Sequence, residues 1–320
     1  MNEPSANQLL SGKAITFKGR GGYEVIEIVE RTVRPPAAGE VRIAVKAAAV
    51  NPTDILLRAS GFRNETSLTI PGMDAAGIIE SVGPGVSRLH PGEKVMAAVM
   101  PRRPDGGAQA QYIVVPAASV VSIPEGASFA EAATLPMNGL TAFRALELAG
   151  LEKGQFLAVS GGAGFLAYYA IVAAKRLGIK VIADAKSEET DLVRSCGADI
   201  VVERGPGFAD AVRRELAQGA DALLDTAVLG EKSFGSIRDE GVYIPVRGWG
   251  DKPAERGIRI KPVFVFEVLE RTEWLEQLRD LVTAGEIKLR VAGEYAPERV
   301  ADSHRALEAG RLRGRPVIIF

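Results

Sequence analysis

Between about Ala14 and Ile123 the apolar residues fall in short runs rich in β-branched side chains, at 25–29, 41–45, 76–82, 94–99 and 112–115. The runs are separated by Pro35-Pro36, Pro84-Gly85, Pro91-Gly92 and Asp105-Gly106-Gly107, residues that turn the chain. This pattern predicts an all-β barrel with irregular loops. After Ser128 the period changes: helix 129–150, strand 156–160, helix 165–177, strand 180–183, helix 188–196, strand 200–202, helix 208–218, then strands 222–225 and 242–246. Repeated βα units of this length predict parallel strands joined by right-handed crossovers, a doubly wound sheet in an α/β chain. A helix at 273–283 is followed by Val291, a segment at 300–307 and an apolar strand at 317–320, which needs a sheet edge and is expected to rejoin the barrel. The resulting division is 1–133 completed by 269–320, with 134–268 as the doubly wound domain.

Charge and composition narrow the ligand. Thirty-nine basic and 40 acidic side chains leave a net charge of −1, so no overall field holds nucleic acid or an anionic membrane, and a ligand must be recognised locally. Cys196 is the lone cysteine, which excludes an intramolecular disulfide or a thiolate zinc cluster and fits a reducing, cytoplasmic location. The first residues lack a basic region followed by an apolar one, and no run of about 18 apolar residues occurs, so export and membrane insertion are not expected.

Candidate chemistry begins where strand 156–160 ends. Ser160-Gly161-Gly162-Ala163-Gly164 runs into a helix opening at Phe165-Leu166, the place where a first βα turn binds a pyrophosphate. There the backbone must approach phosphate oxygens without Cβ interference, and the helix N-terminus supplies free N–H groups. Asp184, twenty positions after Gly164, stands where a carboxylate accepts from an adenine ribose and favours NAD. Lys186 and Ser187 follow and would favour the 2′-phosphate of NADP, in which case Asp184 turns to cap the helix near Glu188. Strand ends at Asp225-Thr226-Ala227 and Arg247-Gly248-Trp249 lie at the carboxyl edge where ligands of such sheets bind.

A set of blocks in fixed order resembles one family over nearly the whole chain. They are Ala48-Ala49-Val50-Asn51-Pro52-Thr53-Asp54, Ile70-Pro71-Gly72-Met73-Asp74-Ala75-Ala76-Gly77, Gly83-Pro84-Gly85-Val86, Pro91-Gly92-Glu93-Lys94-Val95, Gly106-Gly107-Ala108-Gln109-Ala110-Gln111-Tyr112, Thr134-Leu135-Pro136, Leu140-Thr141-Ala142 and Cys196-Gly197-Ala198-Asp199. Together they resemble the zinc-independent, quinone-oxidoreductase-like branch of the medium-chain dehydrogenase/reductase superfamily. The resemblance implies an N-terminal GroES-like β-barrel catalytic domain, a Rossmann cofactor domain, a cleft between them, a homodimer, and hydride transfer from a nicotinamide, usually NADPH. Zinc-dependent relatives carry a cysteine where this chain has Asn51 and a histidine-glutamate pair at Met73-Asp74, so no metal is expected. His90 and His304 read as solvated or capping residues.

The same resemblance places Asn51 and Asp54 on the substrate side and Thr141 near the nicotinamide. Asn51 either donates its amide to a substrate carbonyl or orders the Pro52 turn, and Asp54 reads as a structural acceptor. A tyrosine common in relatives is replaced by Leu56, and the loop departs from type at Phe165, whose ring must find room beside the pyrophosphate or turn away. Phe264-Val265-Phe266 is expected on the nicotinamide side, and Arg313 and Arg315 as further donors to a 2′-phosphate. The expected activity is NADPH-dependent reduction of a small conjugated carbonyl or quinone, with NAD as the alternative cofactor. An enoyl or alkenal reductase of a biosynthetic pathway, and a nucleotide-binding protein without catalysis, remain open.

Overall fold

Alternation along the first strands already separates two faces. In the computed structural model, which describes residues 8–61, 69–250 and 254–320, strands β1 (Leu10–Phe17) and β2 (Ile26–Val33) form an antiparallel pair. They are followed by β3 (Glu40–Ala49), helix α1 (Pro52–Ser60), β4 (Asp74–Val82), β5 (Lys94–Ala98), β6 (Tyr112–Pro116) and β7 (Val120–Ser122). Val41, Ile43 and Val45, then Val95 and Ala97, then Ile113 and Val115 point inward at period two and make one buried core. α1 opens with Pro52 in its first turn, where a missing N–H costs nothing, and Asp54 reaches back to the Asn51 N–H.

The helix expected at 129–150 is two helices. Ser128 and Glu131 form a capping box for the short α2 (Phe129–Ala132), and α3 (Pro136–Ala149) starts afresh. Pro136 cannot donate a backbone hydrogen bond and biases Leu135 away from the helical region, so the apolar period runs on across a break.

Residues 138–268 form one compact unit. It contains β8 (Phe156–Ser160), α4 (Phe165–Arg176), β9 (Lys180–Ala185), α5 (Thr190–Ser195), β10 (Ile200–Glu203), α6 (Phe208–Glu215), β11 (Ala220–Asp225), β12 (Ile237–Pro245) and β13 (Arg259–Ile260). All six strands are parallel, in the order β10-β9-β8-β11-β12-β13. Numbered within the unit this is 3-2-1-4-5-6, and the order reverses between β8 and β11, the crevice where such sheets bind ligands. Strands such as β8 and β9 read as continuous apolar runs because helices cover both faces of a parallel sheet.

The other unit joins residues 1–137 to 269–320. Its later part holds α7 (Thr272–Thr283), β14 (Val291–Tyr295), α8 (Val300–Glu308) and β15 (Arg315–Ile319). The segment at 300–307 is therefore a helix, and the terminal strand pairs antiparallel with β3 through Val317, Ile318 and Ile319. The sheet runs β14-β15-β3-β4-β5-β7, with β6 also on β3. Val300 and Ile318 complete a second core with Ile15, Phe17, Val50 and Leu57.

Candidate functional site

The loop between β8 and α4 has the geometry that a phosphate cradle needs. Gly161 sits at φ +69°, and the Gly164 N–H donates to the Gly161 carbonyl at 2.7 Å, closing a tight turn. A Cβ on Gly164 would lie 2.9 Å from that carbonyl oxygen, and one on Gly162 would lie 2.6 Å from the Asp184 carbonyl. Gly164 is the N-cap of α4, so the positive end of that helix stands at the close of the loop. The Phe165 ring is 3% exposed and packs edge-to-face on Tyr169, one turn on, with centroids 4.9 Å apart. Ala163 is buried and Leu166 half-buried.

Asp184 takes neither of the roles its position suggested. Its side chain is 2% exposed, and Oδ1 accepts the N–H groups of Gly161 and Gly162 at 2.5 and 3.0 Å. No side-chain cap hydrogen bond occurs at the turn that opens with Ser187. Burial pushes the carboxyl above its usual range, opposed by the Gly162 N–H, the Arg204 charge and the Gly161 N–H. Lys186 and Ser187 are exposed at the end of β9, and Arg204 is exposed just past β10. Arg204 was not singled out in the sequence, although it follows a predicted strand end in the same way as Lys186.

Across the switch point the strand ends are stapled together. Ser160 Oγ donates to Asp225 Oδ1 at 2.6 Å and accepts the Ala227 N–H, while Thr226 Oγ1 donates to the Ser160 carbonyl at 2.5 Å. Asp225 also accepts from the Leu229 and Gly230 N–H groups and from the Tyr243 hydroxyl at 2.7 Å. Ser160 and Asp225, expected as cofactor contacts, are fully buried and hold the two strand ends in register instead. Tyr243, missed in the sequence as one more strand aromatic, has its phenol pushed up by burial and then by its bond to Asp225. It borders a cavity of about 230 Å³ with Val228, Arg247, Gly248 and Trp249. Arg247 and Gly248 are exposed, and no atom lies within 4 Å of a Cβ built on Gly248, so the chain's own packing does not require glycine there. Phe266 is 49% exposed and stacks on Phe264 at 5.3 Å. Thr141 is buried in α3.

In the barrel unit, Asn51, Asp54, Asp74 and Arg315 form one buried network. Asn51 Nδ2 donates to Asp74 Oδ2 at 2.6 Å, and its Oδ1 accepts from Arg315 Nε at 2.9 Å. Asp54 accepts the N–H groups of Asn51 and Gly72 at 2.7 and 2.8 Å, and Asp74 Oδ1 accepts that of Met137 at 2.6 Å. Asn51 is 0% exposed, so its amide is committed to the barrel rather than offered to a substrate. Arg315, expected at a 2′-phosphate, belongs to the same buried network. Asp54, placed on the substrate side by the resemblance as a catalytic candidate, is buried here. Desolvation pushes Asp54 up to about 6, against the pull of the Asn51 and Gly72 N–H groups. Asp74 is pushed up to about 7 by the same burial and by the nearby Asp54 charge, despite the Met137 N–H and the Asn51 amide. A carboxylate opening the apolar run 75–79 was the available signal for Asp74.

These residues do not fit zinc. Asn51 and Asp74 bond to each other, Met73 is buried beside them, and no group of three His, Cys, Asp or Glu suited to a metal exists among the described residues. His90 is exposed as expected, but His304 is fully buried beneath Phe17 and held down at about 4 by desolvation and by the Arg58 charge. No helix among the described residues is long and apolar enough to cross a membrane.

Comparison with known proteins matches residues 37–125 to an alcohol dehydrogenase GroES-like domain and residues 196–318 to a zinc-binding dehydrogenase domain. The chain is 30% identical over 318 residues to a 2-methylene-furan-3-one reductase of Solanum lycopersicum, covering 96% of this chain and 78% of that one. It is 29% identical over 317 residues to a chloroplastic NADPH-dependent alkenal/one oxidoreductase of Arabidopsis thaliana, covering 96% and 79%. Among solved structures, the human synaptic vesicle membrane protein VAT-1 homolog-like protein superposes with a TM-score of 0.82 at 25% identity, over 97% of this chain and 98% of that one.

Proposed function

The chain belongs to the medium-chain dehydrogenase/reductase superfamily, and from that premise we propose that it is a zinc-independent, NADPH-dependent reductase of quinones or α,β-unsaturated carbonyls. The observation that carries the proposal is the glycine loop at the switch point of a 3-2-1-4-5-6 sheet, with exposed cations at the two neighbouring strand ends. The cradle fits a dinucleotide: the α4 N-terminus would hold the pyrophosphate above the glycine loop, and Lys186, Ser187 and Arg204 the 2′-phosphate. Thr226, Arg247 and Gly248 would flank the other half, with Thr141 beside it. A nicotinamide bound there supplies a hydride.

With a donor set that cannot hold a Lewis acid, the chemistry best suited to the site is conjugate reduction, in which the substrate's own carbonyl draws off charge as hydride adds to carbon. The exposed Phe266, stacked on the half-buried Phe264, offers an apolar, flat face suited to a planar acceptor. Two relatives whose names specify a furanone reductase and an NADPH-dependent alkenal/one oxidoreductase support both the cofactor and the substrate class. We place the protein in a reducing, cytoplasmic compartment on its lone cysteine, and as a homodimer on family grounds; light scattering tests the latter.

The test is steady-state oxidation of NADPH and of NADH, followed by nicotinamide absorbance, against matched panels of enones, alkenals and quinones. Turnover with NADPH on at least one panel is expected. Tight NADPH binding with no turnover on any acceptor would leave a binding protein and overturn the proposal.

A further inference from the structure

In a sheet of this kind, an acidic residue at the end of the second strand has two ordinary uses, as a ribose ligand facing the cofactor or as a cap on the next helix. Asp184 does neither. Its carboxylate turns inward, and its Oδ1 accepts the first two N–H groups of the glycine loop, those of Gly161 and Gly162. The Gly162 N–H also reaches the Asp184 backbone carbonyl at 3.1 Å. Gly162 is glycine for the same reason, because any Cβ would strike that carbonyl and the Ala183 side chain. The start of the loop is thus fastened to β9 by one residue, and the α4 N-terminus stands at its other end.

From this geometry, and resting on the reading of the loop as a dinucleotide site, we infer that Asp184 is a positioning residue of the cofactor loop. Its carboxylate fixes Gly161 and Gly162 so that the α4 N-terminus meets the pyrophosphate at the right height. Being turned inward, it leaves the edge beside it to the exposed Lys186, Ser187 and Arg204, so an acidic residue at this position does not repel a 2′-phosphate. The loop N–H groups need an acceptor oxygen rather than a negative charge, and an asparagine Oδ1 supplies one.

The ribose-ligand and positioning roles predict opposite results. Dissociation constants of NADPH and NADH are measured by fluorescence titration for wild type, Asp184→Ala and Asp184→Asn. Positioning predicts that Asp184→Ala weakens both cofactors by the same factor, on the order of tenfold for loss of a charge-assisted anchor. It also predicts that Asp184→Asn restores most of the affinity, with the NADPH-to-NADH ratio unchanged throughout. A ribose-facing carboxylate predicts instead that both variants shift the ratio toward NADPH, and that result would overturn the inference. If Asp184→Ala does not fold, the ratio in Asp184→Asn decides alone. A wild type that binds neither dinucleotide refutes the cofactor reading, and the inference with it; a ratio shift in a binding-competent protein refutes the inference only.

Discussion

Replacing Asp74 by Asn converts a buried, titrating carboxyl into a neutral group of the same shape. In the folded chain that carboxyl is pushed up to about 7, against 3.8 for an ordinary aspartate, because desolvation outweighs the two hydrogen bonds it accepts. An acid whose folded pKa is raised binds its proton more tightly in the native state. Its contribution to stability is therefore complete below about pH 4 and is lost as the pH rises through about 7. A difference of about 3 units corresponds to roughly 4 kcal/mol lost from the wild type across that window. The Asn variant has no such loss. It pays a constant penalty of about 1–3 kcal/mol, since its NH2 group must face either the Met137 N–H or the Asn51 amide, both donors. The variant should be the less stable protein near pH 4, the two unfolding free energies should cross at about pH 5–6, and near pH 8 the variant should be the more stable by about 1–3 kcal/mol. Urea unfolding at a series of pH values, each fitted with a common slope, measures this directly. A stability gap that stays constant from acid to alkaline pH would show that the carboxyl titrates in its ordinary range and that the reasoning about its burial is wrong.

Other residues give further expectations. Gly162→Ala forces a Cβ to 2.6 Å from the Asp184 carbonyl and should cost about 1–3 kcal/mol while weakening dinucleotide binding; a variant of unchanged stability would mean the loop has room to shift. Lys186→Ala and Arg204→Ala should each raise the KM for NADPH about tenfold and leave that for NADH nearly constant, and equal effects on both cofactors would remove the 2′-phosphate from this edge. His304 is held down at about 4, so it stays neutral when folded while its unfolded form protonates below about 6.5. Stability should fall by about 3 kcal/mol as pH drops from about 6.5 to about 4, and His304→Leu should abolish that slope, which calorimetry at matched pH values will check. Dialysis against a chelator should leave turnover unchanged; activity lost with a stoichiometric metal would contradict the donor set at Asn51, Met73 and Asp74.

What the sequence made legible was local. The glycine loop, the βα alternation and the turn residues between the barrel strands all depend on neighbours a few positions away, and each stands where its pattern placed it. The break at Pro136 was also readable, but a continuous apolar period masked it. What could not be read was the direction of individual polar side chains. Asp184 lies beside the cofactor position in sequence terms, yet whether it faces outward or inward is decided by the loop twenty residues before it. Arg315 and Asn51 are separated by 264 positions and meet only because β15 lies against β3. A single sequence carries no signal for such a pairing, so Arg315 was assigned by its charge rather than by its partner. Asn51 left two readings open, a donor to substrate or an organiser of the Pro52 turn, for the same reason: its type is visible, but not the two groups that already occupy it.

The pairing of β15 with β3 also sets an order of assembly. Ala47, Ala48 and Ala49 lie opposite Ile319, Ile318 and Val317, so this end of β3, beyond the stretch that β6 pairs, waits for its partner until the chain is complete through β15. The parallel-sheet unit is a continuous stretch, 138–268, whose pairings all close within itself, and it can fold as soon as it emerges. The barrel begins first and finishes last. During that interval the nascent chain carries an open, alanine-rich strand edge, and holding that edge apart from other chains becomes a task for the cell's folding machinery.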